Sequence, residues 1–140
     1  MPVFKKQFSL LSAADLVPLL DDLSVQLAWS ERHRFQIELA LEELIVNTFT
    51  HGKSQEQASL TEAIAIDMKI QQDGADLTIT LKDNAIAFDP TLFVPPDVTL
   101  SAEDRQIGGL GLFLTSKMMD TIHYKRDGSF NHVEMYKHLS

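Results

Sequence analysis

Three groups of residues in this chain have the types and spacing to handle a phosphorylated ligand. The run Ile107-Gly108-Gly109-Leu110-Gly111-Leu112-Phe113-Leu114 sets three glycines directly before an apolar helical pattern. Glycine lets backbone N–H groups approach an anion closely, and a helix start adds unpaired donors and a positive dipole end. Nucleotide binding is the first expectation, with a tight packing corner as the alternative. Glu43, Asn47 and His51 recur at every fourth position and form one polar stripe beside Glu42. A buried carboxylate and carboxamide need partners, which a magnesium-bound phosphate would supply; loop capping or a solvent-facing helix edge would serve as well. Asp83, at the end of a strand pattern, can accept a hydrogen bond from an exocyclic amine such as that of adenine, or make a turn with Asn84.

The elements that must position these groups follow from periodicity. Val3 to Leu10 reads as a strand, and Leu16, Leu19, Leu20, Leu23 and Leu27 as the stripe of a helix capped by Asp15, which leaves Pro18 in the tolerated first turn. Ser30 can cap a second helix running to about Thr50 and ended by Gly52. Its Leu39, Ala40, Leu41, Leu44, Ile45, Val46 and Phe49 make it apolar over most of its circumference, so it should be largely buried. Ala63 to Gln72 and Ala75 to Lys82 read as a hairpin about Asp73-Gly74, and Asp120 to Arg126 and Ser129 to His138 as another about Asp127-Gly128. Between them lie a long loop, Asp89 to Gln106, and a third helix from Leu110 to Met119. The order is βααββαββ. It predicts one α/β domain over residues 1–140, a two-layer sandwich whose mixed, mostly antiparallel sheet of about five strands carries three helices on one face.

Composition narrows the function further. A net charge of −8, with no stretch gathering several Lys or Arg on one face, argues against a nucleic-acid surface. The absence of cysteine excludes disulfides, thiolate catalysis and cysteine zinc sites, which suits a cytoplasmic setting. No apolar run approaches the roughly 20 residues that span a membrane, and Met1 to Leu10 does not read as a signal peptide. The five histidines lack metal-ligand spacing, and no glycine pattern marks a nucleophilic serine.

Taken together, the three groups resemble the ATP-binding Bergerat fold of gyrase, heat-shock chaperones and histidine kinases. Glu43-Leu44-Ile45-Val46-Asn47 with His51-Gly52 is similar to the N-box, Asp83 to Pro90 to the first glycine box, and Gly108 to Leu114 to the second. The chain resembles above all the anti-sigma-factor serine kinases of bacterial stress and sporulation switches, over nearly its whole length and including Met119 to Gly128. The resemblance implies ATP and Mg2+ as cofactors, Glu43 as the general base towards a partner serine, and Asn47 as a magnesium ligand. It implies that Asp83 binds adenine, that the amides of Gly108, Gly109 and Gly111, with Leu110 and Leu112 beside them, hold phosphates, and that residues 95–107 form a lid with Arg105 at a phosphate. His51, Lys53 and Lys117 are weaker candidates. Implied partners are a sigma factor and an antagonist of the anti-anti-sigma type. Homodimers in the family form through the first strand and sheet edge, so Phe4 and Phe8 could serve a dimer or the core.

Two departures bear on activity. Where the first glycine box carries glycines, this chain has Ala85 and Ala87; if position 85 required a positive φ, its methyl group would cost about 1 kcal/mol or more. Where the family often has a Gly-Thr pair that helps the adenine-binding aspartate, this chain has Ser129-Phe130-Asn131-His132, with Asn131 as the candidate substitute. Two functions remain open at this level, a protein kinase and a non-catalytic capture module of the same fold. Glu43 favours the first and Ala85 the second.

Overall fold

The computed structural model describes residues 2–51, 64–92 and 107–140, with side chains in the last stretch from 111 onward. The elements are β1 (Val3–Phe8), a short 3-10 turn (Ala13–Asp15), α1 (Leu16–Gln26), α2 (Glu31–His51), β2 (Ile66–Asp73), β3 (Asp76–Asp83), α3 (Ile107–Met118), β4 (Thr121–Asp127) and β5 (Phe130–His138). The expected order βααββαββ is borne out. The strands form one sheet in the order β1-β2-β3-β5-β4. Every neighbouring pair is antiparallel, so the sheet is not mixed.

Alternation along each strand sends one set of side chains inward against the helices. Phe8, Ile66, Ile70, Leu77, Ile79 and Met135 are fully buried, facing Leu20, Leu23, Ile37 and Leu41 of α1 and α2. Phe8 is therefore core, and Phe4 packs against the same cluster. α2 contributes Ile37, Ala40, Leu41, Leu44, Ile45 and Phe49 to this interior, but Val46 is 58% exposed, so its apolar circumference is narrower than the sequence implies.

Local signals explain the helix ends. The Ser30 hydroxyl accepts the His33 amide at 3.1 Å, capping α2 as expected. Asp15 precedes α1 as its N-cap but makes no side-chain capping bond; its carboxylate pairs with Lys6 at 3.4 Å. At the corner between α1 and α2, Trp29 Nε1 donates to Gln72 Oε1 at 2.7 Å, tying the helices to the β2–β3 hairpin. α3 starts at Ile107, three residues before the expected Leu110, so the glycine run lies inside its first turns. At its far end the Lys137 ammonium donates to the Met118 carbonyl at 2.5 Å, satisfying an acceptor that helix geometry leaves open. No described helix is long and apolar enough to cross a membrane.

Candidate functional site

α2 lies across the inner face of the sheet, and a crevice opens where its C-terminal half passes over the ends of β3 and β5. The walls are Leu44, Asn47 and Thr48 of α2, Leu81 and Asp83 of β3, Asn131 and Val133 of β5, and Ala85, Ile86, Phe88 and Pro90 of the segment after β3. The space between these walls, counted with the open mouth, is about 430 Å3. Apolar walls around a few polar groups suit a flat heteroaromatic ring with one hydrogen-bonding edge.

Asp83 and Asn131 form the polar floor. Antiparallel register sets them directly opposite each other, and both are nearly inaccessible, at 7% and 3% exposure. Asp83 Oδ1 accepts the Asn131 amide at 2.9 Å and the Ala85 backbone N–H at 3.0 Å. Its Oδ2 accepts no hydrogen bond among the described residues, which leaves one carboxylate oxygen available to a donor entering the crevice.

Asn131 is itself held on every side. Its Nδ2 also donates to the Ile86 carbonyl at 2.8 Å, while its Oδ1 accepts from Tyr124 Oη at 2.7 Å and Arg126 Nη1 at 3.1 Å. Arg126 further donates to the Ala85 carbonyl at 2.9 Å. Asn131 thus takes the supporting place beside Asp83 that the sequence suggested for it. Tyr124 and Arg126 were not foreseen; they alternate with Lys125 on β4 and cross β5 at this point, but only the side-chain geometry joins them to the floor.

The alanine at position 85 fits without strain. Among the described residues Ala28 is the one non-glycine with positive φ (56°), so Ala85 stands in ordinary backbone and needs no glycine. Its side chain is buried in the crevice wall. Ala87, by contrast, is exposed and absent from the wall.

Glu43 and Asn47, one turn apart on α2, serve different spaces. Asn47 lines the crevice, whereas Glu43 is turned to α3, where its carboxylate lies against Gly111. A methyl group built on Gly111 would stand 2.6 Å from Glu43 Cδ and 3.2 Å from Oε1, with Oε2 closer still. The glycine therefore makes room for the carboxylate. As the fifth residue of α3, Gly111 also lies past the first turn, where N–H groups are already engaged within the helix, so it is not a phosphate-binding amide. Gly108 and Gly109 do fall in that first turn, with N–H groups of the kind that accept an anion, and Leu110 follows them. Leu112 points into the core at 6% exposure rather than to a ligand. His51 is exposed at the end of α2 and outside the crevice wall. Arg105, Lys53 and all of the expected lid, 95–107, except Ile107, which opens α3, lie outside the described residues.

Around Glu43 the surface is acidic. Partial desolvation, followed by the carboxylates of Glu38 and Glu43, raises the pKa of Glu42 above its ordinary value. Glu42 and Glu43 end a groove whose other walls include Ala13, Ala14, Val17 and Val46.

The model of the histidine kinase-like ATPase domain matches residues 15–137, which hold the whole crevice. The chain belongs to this family. Within the histidine kinase-like ATPase domain family it is 28% identical over 127 residues to the serine/threonine-protein kinase BtrW of Bordetella bronchiseptica, covering 91% of this chain and 86% of that protein. It is 31% identical over 109 residues to the serine-protein kinase RsbW of Listeria monocytogenes, covering 74% and 65% of the two chains. The structure of the RsbU and RsbW domains of Rv1364c from Mycobacterium tuberculosis shares the fold, with a TM-score of 0.65 at 12% identity over 99% of this chain and 32% of that one. The resemblance read from the sequence is thereby borne out at the level of family and fold.

ATP and magnesium can be tested against the residues present. Asp83 lines an apolar slot with its Oδ2 unengaged among the described residues, which suits an adenine amine, and Asn47 offers a neutral oxygen at the slot's wall. Among the described residues no cluster of three or more His, Cys, Asp or Glu could hold a metal by itself. The Asn47 amide oxygen is of the type magnesium takes, since that ion is commonly held by one or two protein oxygens together with substrate phosphates and water.

Proposed function

We propose that this chain is an ATP-dependent protein serine/threonine kinase of the anti-sigma-factor type, which phosphorylates a small antagonist protein and so controls sequestration of a sigma factor. The observation that carries the proposal is the half-satisfied Asp83 at the floor of an apolar crevice whose opposite wall is Asn47. Bound magnesium would neutralise phosphate charge and so ease transfer. Leu44, Ile86 and Val133 would enclose the adenine ring, Asp83 Oδ2 would accept its amine, and Asn47 would hold the metal through its amide oxygen. The first-turn amides at Gly108 and Gly109 would bind phosphate oxygens.

Glu43 serves as general base. Its carboxylate accepts the proton of the partner's serine hydroxyl as that oxygen bonds to the γ-phosphorus and the bond from phosphorus to the β,γ-bridging oxygen breaks, releasing ADP. A second reading, a capture module without turnover, is favoured by the Ala85 methyl in the crevice wall. The two separate in one experiment: ATP labelled at the γ-phosphate is mixed with a purified antagonist of the anti-anti-sigma type, using wild type and Glu43→Ala. Label on the antagonist from wild type alone supports the kinase; binding of the antagonist with weak or no ATP binding and no transfer by either supports the capture module.

A further inference from the structure

Three residues on the inner face of the sheet stand in one row. Register places Asp83 of β3 opposite Asn131 of β5, and Asn131 opposite Arg126 of β4. A carboxylate, a carboxamide and a guanidinium thus lie side by side in that order. An amide between opposite charges has one satisfied orientation, with its N–H end at the carboxylate and its oxygen at the cation. The bonds follow it. Asn131 Nδ2 donates to Asp83 Oδ1 at 2.9 Å, and Arg126 Nη1 donates to Asn131 Oδ1 at 3.1 Å. Tyr124, two residues earlier on the same face of β4, donates its hydroxyl to that same oxygen at 2.7 Å.

The same groups hold the crevice wall. Residues 84–90 belong to no strand or helix, so their backbone groups depend on other partners. Arg126 Nη1 donates to the Ala85 carbonyl at 2.9 Å and Asn131 Nδ2 to the Ile86 carbonyl at 2.8 Å, while the Phe88 amide donates to Asn131 Oδ1 at 3.4 Å. Arg126 is braced in turn on its own hairpin, where Nε donates to the Gly128 carbonyl at 3.1 Å. We infer that Arg126 and Tyr124 are positioning residues for the nucleotide base: by fixing the Asn131 amide they commit Asp83 Oδ1 and leave Oδ2 open to the exocyclic amine of adenine. The inference rests on the nucleotide reading proposed above and assigns base selectivity to two side chains that do not line the crevice.

Without these two donors the buried Asn131 oxygen keeps only the Phe88 amide, at a distance long for such a bond. The carboxamide is then free to turn. Asp83, whose terminal torsion is intrinsically broad, loses the partner that sets the rotation of its carboxylate. The consequence falls on base choice. Loosened packing weakens every nucleotide alike, whereas a misaligned acceptor weakens only a base that carries the amine.

The test is calorimetric titration of the full chain, in magnesium, with ATP and with purine riboside triphosphate, which lacks the 6-amino group. Wild type should prefer ATP about tenfold or more, the scale of one hydrogen bond to a charged group. Arg126→Ala and Tyr124→Phe should cut that preference to about threefold or less, chiefly by weakening ATP. Arg126→Lys, which keeps a charged donor, should restore part of it. Tyr124→Phe retains the ring and decides the matter if Arg126→Ala impairs folding. Variants that keep the wild-type preference, or that lose affinity for both nucleotides equally, would overturn the inference and leave the Asp83 reading standing. A wild type with no preference, or with no affinity for either nucleotide, would overturn the Asp83 reading and this inference together.

Discussion

Gly111 of α3 lies against the carboxylate of Glu43 on α2, close enough that any side chain at position 111 would occupy the space the carboxylate fills. The clashing atoms are the far end of a flexible side chain, so an added methyl displaces Glu43 more readily than it displaces the helix. Alanine also favours helix over glycine by roughly 1 kcal/mol. Gly111→Ala should therefore leave the urea unfolding midpoint unchanged or raise it, retain ATP binding, and lower phosphate transfer at least tenfold. A variant that transfers at the wild-type rate would show that the position of this carboxylate does not matter.

Asn131 holds the floor together. Removing its side chain leaves Tyr124 and Arg126 without their shared acceptor and Asp83 Oδ1 with only the Ala85 amide. Arg126 is exposed and keeps the Ala85 carbonyl, so the main cost is the lost charge-assisted bond between buried Asn131 and Asp83, about 1.5–3 kcal/mol. Asn131→Ala should lose stability of that size in denaturant unfolding and bind ATP more weakly than wild type. Unchanged stability would mean that water replaces the carboxamide at no cost.

How far the sequence reveals this site depends on what each residue needs. Asp83, Asn47 and Ala85 were legible because their motifs together resemble those of a known family, and the structure brings all three to one crevice. Asn131 was legible only as the occupant of a place where the family has another pair, and its bonds to Tyr124 and Arg126 arise from strand register. The start of α3 was misplaced because glycine disfavours helix interiors; Gly111 is retained there by the close approach of Glu43, which no local pattern encodes.

Two alanines should respond oppositely to glycine. Ala28 sits at φ 56° just beyond α1, where a left-handed residue costs about 1–2 kcal/mol with a Cβ. Ala28→Gly should stabilise the fold by about 0.5 kcal/mol, the relief exceeding the added chain entropy. Ala85 has no such strain, so Ala85→Gly should destabilise by roughly 0.5–1 kcal/mol. Thermal melts of both variants, shifting in the same direction, would contradict this.

Lys137 introduces a pH dependence. It lies on the core face opposite Leu77, and burial, with help from Arg32 and against the pull of Asp120, holds its pKa below the ordinary 10.5. The folded chain thus gives up this proton at a lower pH than the unfolded chain, which binds more protons in the window just below the ordinary value. Stability contributed by the group rises with pH through that window. Relative to Lys137→Met, wild type should gain stability as pH rises through the window just below the ordinary lysine value; parallel pH profiles would exclude the effect.

The central claim is that adenine is read by the unoccupied oxygen of Asp83. Calorimetric titration of ATP into wild type and Asp83→Asn, with and without magnesium, tests it most directly. The account predicts saturable, magnesium-dependent binding to wild type and a loss of about tenfold or more in the variant, whose amide nitrogen offers a donor where an acceptor is needed. Equal affinity in the two proteins, or no binding by wild type, would contradict it.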